Sequence, residues 1–359
     1  MMFISSSNNS LIKEVKSLKT KKNRQTKGLF FIEGVRIIEE ALVSGAQIKN
    51  IIISVTTAIE NDIKNGKYLR DRKRIKERKS IKDGKSIKDR KSIEDGKGIK
   101  DVKGIEIEKY SKSIKNNRMA AILSAADYQG HEIYVVPESL FREISDTDTP
   151  QGILAIVRIN NYSLKDIICA NSEYGVNSTN NSNNSDNIKS YSTKMQSNKY
   201  RQPDKYGKCF IILDEIKDPG NMGTIIRTAD AAGFNGIIAS RGCIDPYNPK
   251  VLRSTMGSIF HIPLHICDNL IEALMEVKAN GIRIYASHMK GGKNYYEVDM
   301  IGNIAIIIGN EANGISSVSA SIADELIKIP MPGRTESLNA SVAAGLLMYE
   351  PLRQRTNQL

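Results

Sequence analysis

The chain has 359 residues, 40% hydrophobic and 26% charged, which excludes wholesale disorder and leaves length for two domains with cores of their own. Cys169, Cys209, Cys243 and Cys267 stand far apart with no CxxC, and the start MMFISSSNNS lacks a basic stretch followed by a long apolar run. The expectation is a reduced, cytoplasmic protein with no disulfide framework, zinc site, signal peptide or membrane span. The net charge is +12, yet 20 Lys/Arg against 9 Asp/Glu fall between Lys64 and Lys115, so +11 of it belongs to one segment.

In chain order, GLFFIEG predicts a strand, VRIIEEALVSGA an amphipathic helix ending at Gly45, and IKNIIIS a second strand. From Lys73 the chain repeats in hexads, KRIKER, KSIKDG, KSIKDR, KSIEDG, KGIKDV and KGIEIE, each with Ile at its third place. A period of six carries the Ile around a helix axis instead of lining it up, and the lysines occupy places where a hexapeptide β-helix needs small or apolar residues. The composition predicts a solvated, mostly disordered insertion at about 62–116, with a basic tether as its functional reading. HEIYVVP, ESLFREIS and QGILAIVRI then read as strand, helix and strand, so the insertion interrupts one small α/β domain, 1–158. The stretch 171–202 is Asn/Ser-rich and flexible in character, giving a linker over 159–206.

In 207–359, CFIILDEI, GIIAS, IFHIPLHI, RIYAS, IGNIAIIIGNE and ELIKIPM alternate with helices at Asn221 to Gly233, NPKVLRSTMG, LIEALMEVKANG and LNASVAAGLLMYEPLRQ. Continuous apolar strands such as IAIII imply a parallel sheet covered on both faces, hence a second α/β domain.

Three loops at strand ends concentrate glycine and polar residues: DEIKDPGNMGTIIRTADAAG, IIIGNEANGIS and IPMPGRTESLNASVAAG. In a parallel sheet such loops are where ligands bind, glycines allow close approach, and the helix that follows offers free N–H groups. Arg227 is the lone arginine of its helix. Its neighbours at three and four residues are Gly223, Thr224, Asp230 and Ala231, while Ile225, Ile226, Ala229 and Ala232 make the other face. Arg227 therefore stands on the open side, either as a surface ion pair with Asp230 or aimed at an anionic ligand. Taken singly, Asn221 also reads as a helix cap, Glu311 as a surface acid, and Ser337 or Asn339 as the cap of the last helix. His261 and His265 are four apart, but HIPLH contains a proline and reads as strand, so no helical metal pair is expected.

Together and in this order, the three loops resemble the motifs of the SpoU/TrmH-type RNA 2′-O-ribose methyltransferases of the SPOUT superfamily, over Phe210 to Glu350 and including NPKVLRSTMGSIFHIP. Upstream, SNNSLIKEVKSLKTKKNRQTKGLFFIEGVRIIEEAL with ISDTDTPQGILAIV resembles the L30e-like substrate-binding domain that precedes the catalytic domain in many members. The resemblance implies a C-terminal SPOUT α/β domain with a deep trefoil knot behind a small L30e-like α/β domain. It implies S-adenosyl-L-methionine bound bent in the knot by the backbone around Gly309, Asn310, Ile329, Met331 and Leu338, and a homodimer with its active site at the knot-side interface. It also implies Arg227 as the catalytic arginine beside Asn221, with Glu311, Ser337 and Asn339 completing the polar pocket and no metal required. There is no GxGxxG turn after the first strand of this domain and no P-loop, consistent with a different cofactor mode.

The expected substrate is ribosomal RNA, because the simpler transfer-RNA members lack the upstream domain. Transfer RNA, base methylation on the same scaffold, and an RNA-binding assembly or resistance factor remain the alternatives. Within the family the arginine is proposed as a base assisted by an RNA phosphate. A guanidinium does not normally give up its proton, which favours the milder role of clamping phosphate and stabilising alkoxide charge.

Replacing Lys64–Lys115 by a short Gly/Ser link should leave the melting temperature unchanged, since no core is lost. The slope of log affinity against log salt should flatten by about 0.7 for each single-strand phosphate contact removed, while the methylated nucleotide stays the same.

Overall fold

The structure, a computed structural model, describes residues 1–55, 118–169 and 206–357. The hexad repeat with the expected insertion at about 62–116, and the Asn/Ser-rich stretch 171–202, lie outside the described residues. By contacts the described residues group into two compact units, one from Met1–Lys16, Glu33–Val35 and Ile48–Ile156, the other from Ser17–Ile32, Arg36–Gln47 and Val157–Leu359. No helix among the described residues is long and apolar enough to cross a membrane.

The first sheet contains β1 (Met2–Phe3), β2 (Leu29–Glu33), β3 (Ile48–Val55), β4 (Glu132–Pro137) and β5 (Ile153–Arg158), in the order β1-β4-β3-β5-β2. The helices along this part of the chain are α1 (Ser10–Ser17), α2 (Lys21–Lys27), α3 (Val35–Val43), α4 (Arg118–Tyr128) and α5 (Glu138–Ile144), of which α2 and nearly all of α3 belong to the larger unit. In α3 the buried residues are Ile37, Ile38, Ala41 and Leu42, the one-sided stripe that the sequence pattern foretells.

In α2 every residue is polar and only Arg24 is buried, 2% exposed. A charge in that position has to be paired and fully hydrogen-bonded. Arg24 Nε donates to Asp245 Oδ2 at 2.8 Å, and Nη1 donates to the carbonyls of Leu18 at 2.8 Å and Lys19 at 3.0 Å. Asp245, 6% exposed, accepts the Tyr247 N–H on its other oxygen at 3.0 Å.

The larger sheet holds seven strands: β6 (Cys209–Leu213), β7 (Gly236–Ser240), β8 (Leu264–Cys267), β9 (Arg283–Ser287), β10 (Lys293–Asn294), β11 (Ile304–Ile308) and β12 (Glu325–Lys328). Their order is β10-β12-β9-β11-β6-β7-β8 and the neighbours pair in parallel. The associated helices are α6 (Leu164–Ile168), α7 (Pro219–Ala231), α8 (Pro249–Thr255), α9 (Leu270–Ala279), α10 (Ser317–Ile322) and α11 (Ala340–Thr356). Strand periodicity sorts β6 cleanly. Cys209, Ile211 and Leu213 enter one core with Met222, Ile225, Ile226 and Ala229 of α7 and Ala344, Leu347 and Met348 of α11. Phe210 and Ile212 enter the opposite core with α6 and with Ala273, Leu274 and Val277 of α9. Both faces are covered, which is why these strands are apolar at every residue.

Two details depart from the pattern reading. Within the stretch expected as linker, Ser163 and Asp166 form a capping box that starts α6, whose Leu164, Ile167 and Ile168 join the sheet core. In IFHIPLHI only Leu264–Cys267 is strand. Met256 and Gly257 take left-handed angles, φ 53° and 102°, that end α8 and lead into a single 3-10 turn, Ser258–Phe260, before the chain extends. Gly223 is where α7 meets α8, since a Cβ there would stand 2.3 Å from that of Ser254.

Arg24→Met should leave Asp245 buried without its counter-charge and cost about 3–5 kcal/mol, read as a lower urea midpoint, whereas the double variant Arg24→Met/Asp245→Leu should recover most of the loss.

Candidate active site

Because β6, β11 and β12 run parallel, the loops leaving them emerge from the same edge of the sheet. At the end of β6, Asp214 is buried, and its Oδ2 accepts Ser316 N at 3.0 Å and Ser319 Oγ at 2.9 Å, joining this loop to the start of α10. Four residues on, Asp218 caps α7 by accepting Asn221 N at 2.8 Å, with Pro219 in the first turn, where its missing N–H costs nothing. The cap of α7 is thus Asp218, and Asn221 is free for another use.

The loop after β11 folds back tightly on itself. Asn310 and Gly314 exchange backbone hydrogen bonds of 2.9 Å, Asn310 Oδ1 accepts Ala312 N at 2.9 Å and Asn313 N at 3.0 Å, and its Nδ2 donates to Glu215 O at 2.9 Å. Gly309 permits this fold, because a Cβ there would lie 2.2 Å from Gly314 C. The loop presents Glu311. Its Oε2 accepts Lys217 N at 3.1 Å, and its Oε1 accepts Asp218 N at 3.1 Å and Asn221 Nδ2 at 3.0 Å. Burial works to raise the Glu311 pKa, but hydrogen bonds led by the one from Asn221 outweigh it and hold the carboxyl below its ordinary value.

After β12, Asn339 caps α11 by accepting Ser341 N at 2.9 Å and Val342 N at 3.3 Å, and its Nδ2 donates to Asn221 Oδ1 at 2.9 Å. The amide of Asn221 is therefore engaged at both ends. Glu311 can only accept and so faces Nδ2, while the Asn339 oxygen is turned to the helix N–H groups, leaving its amide hydrogens for Asn221 Oδ1. Asn221, Glu311 and Asn339 form one chain of hydrogen bonds across the three loops.

Arg227 is exposed and has no hydrogen-bond or ion-pair partner among the described residues. The Asp230 carboxylate, its i+3 neighbour, accepts instead from His261 Nδ1 at 3.0 Å. Ser337 is exposed and bonded to none of the network. Ile329 and Met331 are half-buried, Ile329 against the sheet core, and Leu338 is exposed. Residues 330–338 make no hydrogen bond to other described residues, so their backbone donors and acceptors are open. His265 Nδ1 meets Tyr162 O at 2.8 Å, and among the described residues no group of three or more His, Cys, Asp or Glu side chains is placed to hold a metal. Pattern reasoning passed over Asp214 and Asp218; the first was signalled by an acid at the end of an all-apolar strand, the second by the Asp-Pro pair that opens a helix.

Comparison with known proteins gives a consistent answer. The SpoU rRNA Methylase family model matches residues 208–349, the MRM3-like substrate binding domain matches 9–82, and the RNA 2′-O ribose methyltransferase substrate binding model matches 104–163. The 23S rRNA (guanosine(2553)-2′-O)-methyltransferase RlmP of Bacillus subtilis is 26% identical over 97% of this chain and 98% of its own length. The putative TrmH family tRNA/rRNA methyltransferase YacO of the same organism is 41% identical over 41% of this chain, which spans 59% of it. Among solved structures, an AdoMet-bound rRNA methyltransferase from Sinorhizobium meliloti superposes with TM-score 0.64 at 24% identity, covering 98% of this chain and 97% of that one, a likeness of fold.

A folded-state pKa held below the ordinary glutamate value means that Glu311 contributes stability above that value and loses it as pH falls through the lower, folded one. Glu311→Gln should therefore lower the urea midpoint relative to the parent at about pH 7, and the gap should shrink at about pH 3.5.

Proposed function

We propose that this chain, whose residues 208–349 match the SpoU rRNA Methylase family model, is an S-adenosyl-L-methionine-dependent RNA 2′-O-ribose methyltransferase acting on ribosomal RNA. One observation carries the reading. Arg227 is a cation with no side-chain partner among the described residues, six residues along α7 from Asn221, which is itself committed to Glu311 and Asn339. Ribosomal RNA is supported by similarity along nearly the whole length of RlmP and by the two substrate-binding matches upstream. Transfer RNA is the second reading, carried by the higher identity of the catalytic part to YacO, whose name covers both RNAs.

The residues present suit the cofactor. The open backbone of 330–338 offers donors and acceptors to a polar ligand edge, while Ile329, Met331 and Leu338 offer apolar surface to a flat ring. When bound, S-adenosyl-L-methionine supplies a methyl group that its sulfonium makes open to displacement by a ribose oxygen. Arg227 clamps an RNA phosphate with its fork of donors and stabilises negative charge developing on the 2′-oxygen. Glu311 has its acceptors filled and its pKa lowered, which makes it a poor base; it fixes Asn221 and the first loop in place. Ser337 stands free to bond substrate or cofactor.

The trefoil knot expected for the family and a cytoplasmic location belong to the same proposal, as does a homodimer. The dimer draws support from α11, where Val342, Leu346, Tyr349 and Leu352 stand along one side of the helix at 52%, 40%, 49% and 36% exposure, an apolar stripe that a second copy would cover.

With labelled S-adenosyl-L-methionine and ribosomal RNA, the label should remain on ribose after the base is removed; label on the base would overturn the assignment. Arg227→Ala should cut transfer by about 10²–10³-fold, the usual loss for a donor aimed at developing charge, with an unchanged melting temperature because the side chain bonds to nothing among the described residues.

A further inference from the structure

Nothing in the hydrogen-bonded network explains why Arg227 has no side-chain partner among the described residues. Asp230 lies at i+3, within the ordinary reach of an arginine on the same helix face. The structure shows one oxygen of that carboxylate, Oδ2, engaged by a third group. His261, which follows the 3-10 turn after α8, places Nδ1 3.0 Å from Asp230 Oδ2 on α7 and Nε2 3.4 Å from Glu40 Oε2 on α3. Carboxylates accept and do not donate, so only the imidazolium, with an N–H on each nitrogen, satisfies both partners. Gly257 makes room for the arrangement, since a Cβ there would stand 2.6 Å from Glu40 Cγ.

We propose that His261 is a positioning residue for methyl transfer: as an imidazolium bridging Asp230 and Glu40 it neutralises the Asp230 carboxylate and keeps it from Arg227, leaving the guanidinium free for an RNA phosphate. The inference rests on the reading of Arg227 as the phosphate clamp. The ionisation behaviour agrees with it. The hydrogen bond with Asp230 is the strongest influence on His261 and raises its pKa above 6.5, burial opposes, and the charges of Asp230 and Glu40 add to the rise. These two carboxylates, one from each helix packed against the ring, are the groups that set its charge. His261 is therefore protonated below its raised pKa, and as pH climbs through that value Asp230 is released to compete for Arg227.

The test is a cycle of His261→Ala, Asp230→Asn and the double variant, read as kcat/KM for ribosomal RNA together with S-adenosyl-L-methionine affinity and melting temperature. An exposed i,i+3 pair is weak, so His261→Ala should slow transfer by only about two- to threefold with cofactor affinity unchanged. The double variant should be faster than His261→Ala, because the rival carboxylate is gone. A purely structural His261 would leave the double variant as slow as, or slower than, the single one, and that result overturns the proposal. Should His261→Ala fold poorly, the ratio of parent to Asp230→Asn activity decides alone. It should fall between about pH 6 and pH 9 with a midpoint above 6.5, and a flat ratio overturns the proposal. Arg227→Ala in the same assay separates the two levels of argument. If it stays active, the clamp reading itself has failed; if it is inactive while the cycle shows no rescue, only the role of His261 falls.

Discussion

The chain of hydrogen bonds from Asn339 through Asn221 to Glu311 is the constraint on which the catalytic edge of this protein depends. Three loops leave three different strands, and none of them has enough regular structure to fix its own position. Each contributes one group that the other two need: an amide that caps α11, an amide in the first turn of α7, and a carboxylate that collects the Lys217 and Asp218 N–H groups. Such a network is sensitive to the loss of any member, since a partner left half-satisfied at a partly buried site forfeits more than one bond's worth of stabilisation.

Around that joint the polar groups divide into those that are committed and those that are open. Asp214, Asp218, Asn310 and Glu311 each accept hydrogen bonds from backbone or side chains of these loops and of the helices that follow them. Arg227, Ser337 and the backbone of 330–338 have no partner among the described residues. The separation follows from chemistry. For the proposed function, a surface that grips RNA must not spend its cation on itself, and a site for S-adenosyl-L-methionine, a cofactor with polar groups and a net positive charge, needs unpaired backbone at its rim.

Much of this was legible from the residues. IAIII and CFIIL announced a sheet covered on both faces, and the stripe of α3 and the three glycine-rich loops were found where the pattern put them. What was hidden came from partners distant in sequence. Asn221 looked like a cap because caps are written locally, and only the fold reveals that Asp218 performs that task and that Asn339, 118 residues on, is what Asn221 meets. Asp230 looked like the partner of Arg227 for the same reason; His261, 31 residues away, takes it. IFHIPLHI is strand-like in composition, and the left-handed angles at Met256 and Gly257 that break its first half have no counterpart in hydrophobic periodicity. Hydrophobic periodicity likewise passes over α2, a helix with no apolar residue whose one inward residue is a charge.

That inward charge bears on how the chain is made. Asp245 sits beyond the second strand of the larger sheet, and the guanidinium that neutralises it arrives from 221 residues earlier. A ribosome therefore delivers Arg24 long before the carboxylate exists, and the first fifty residues must remain available for docking while the insertion and the linker are still being synthesised. The larger unit is stitched from both ends of its gene, so a fragment cut to the methylase match alone would expose the seat of α2 and strand a buried anion. The boundary of similarity and the boundary of foldability are then different lines on the same chain.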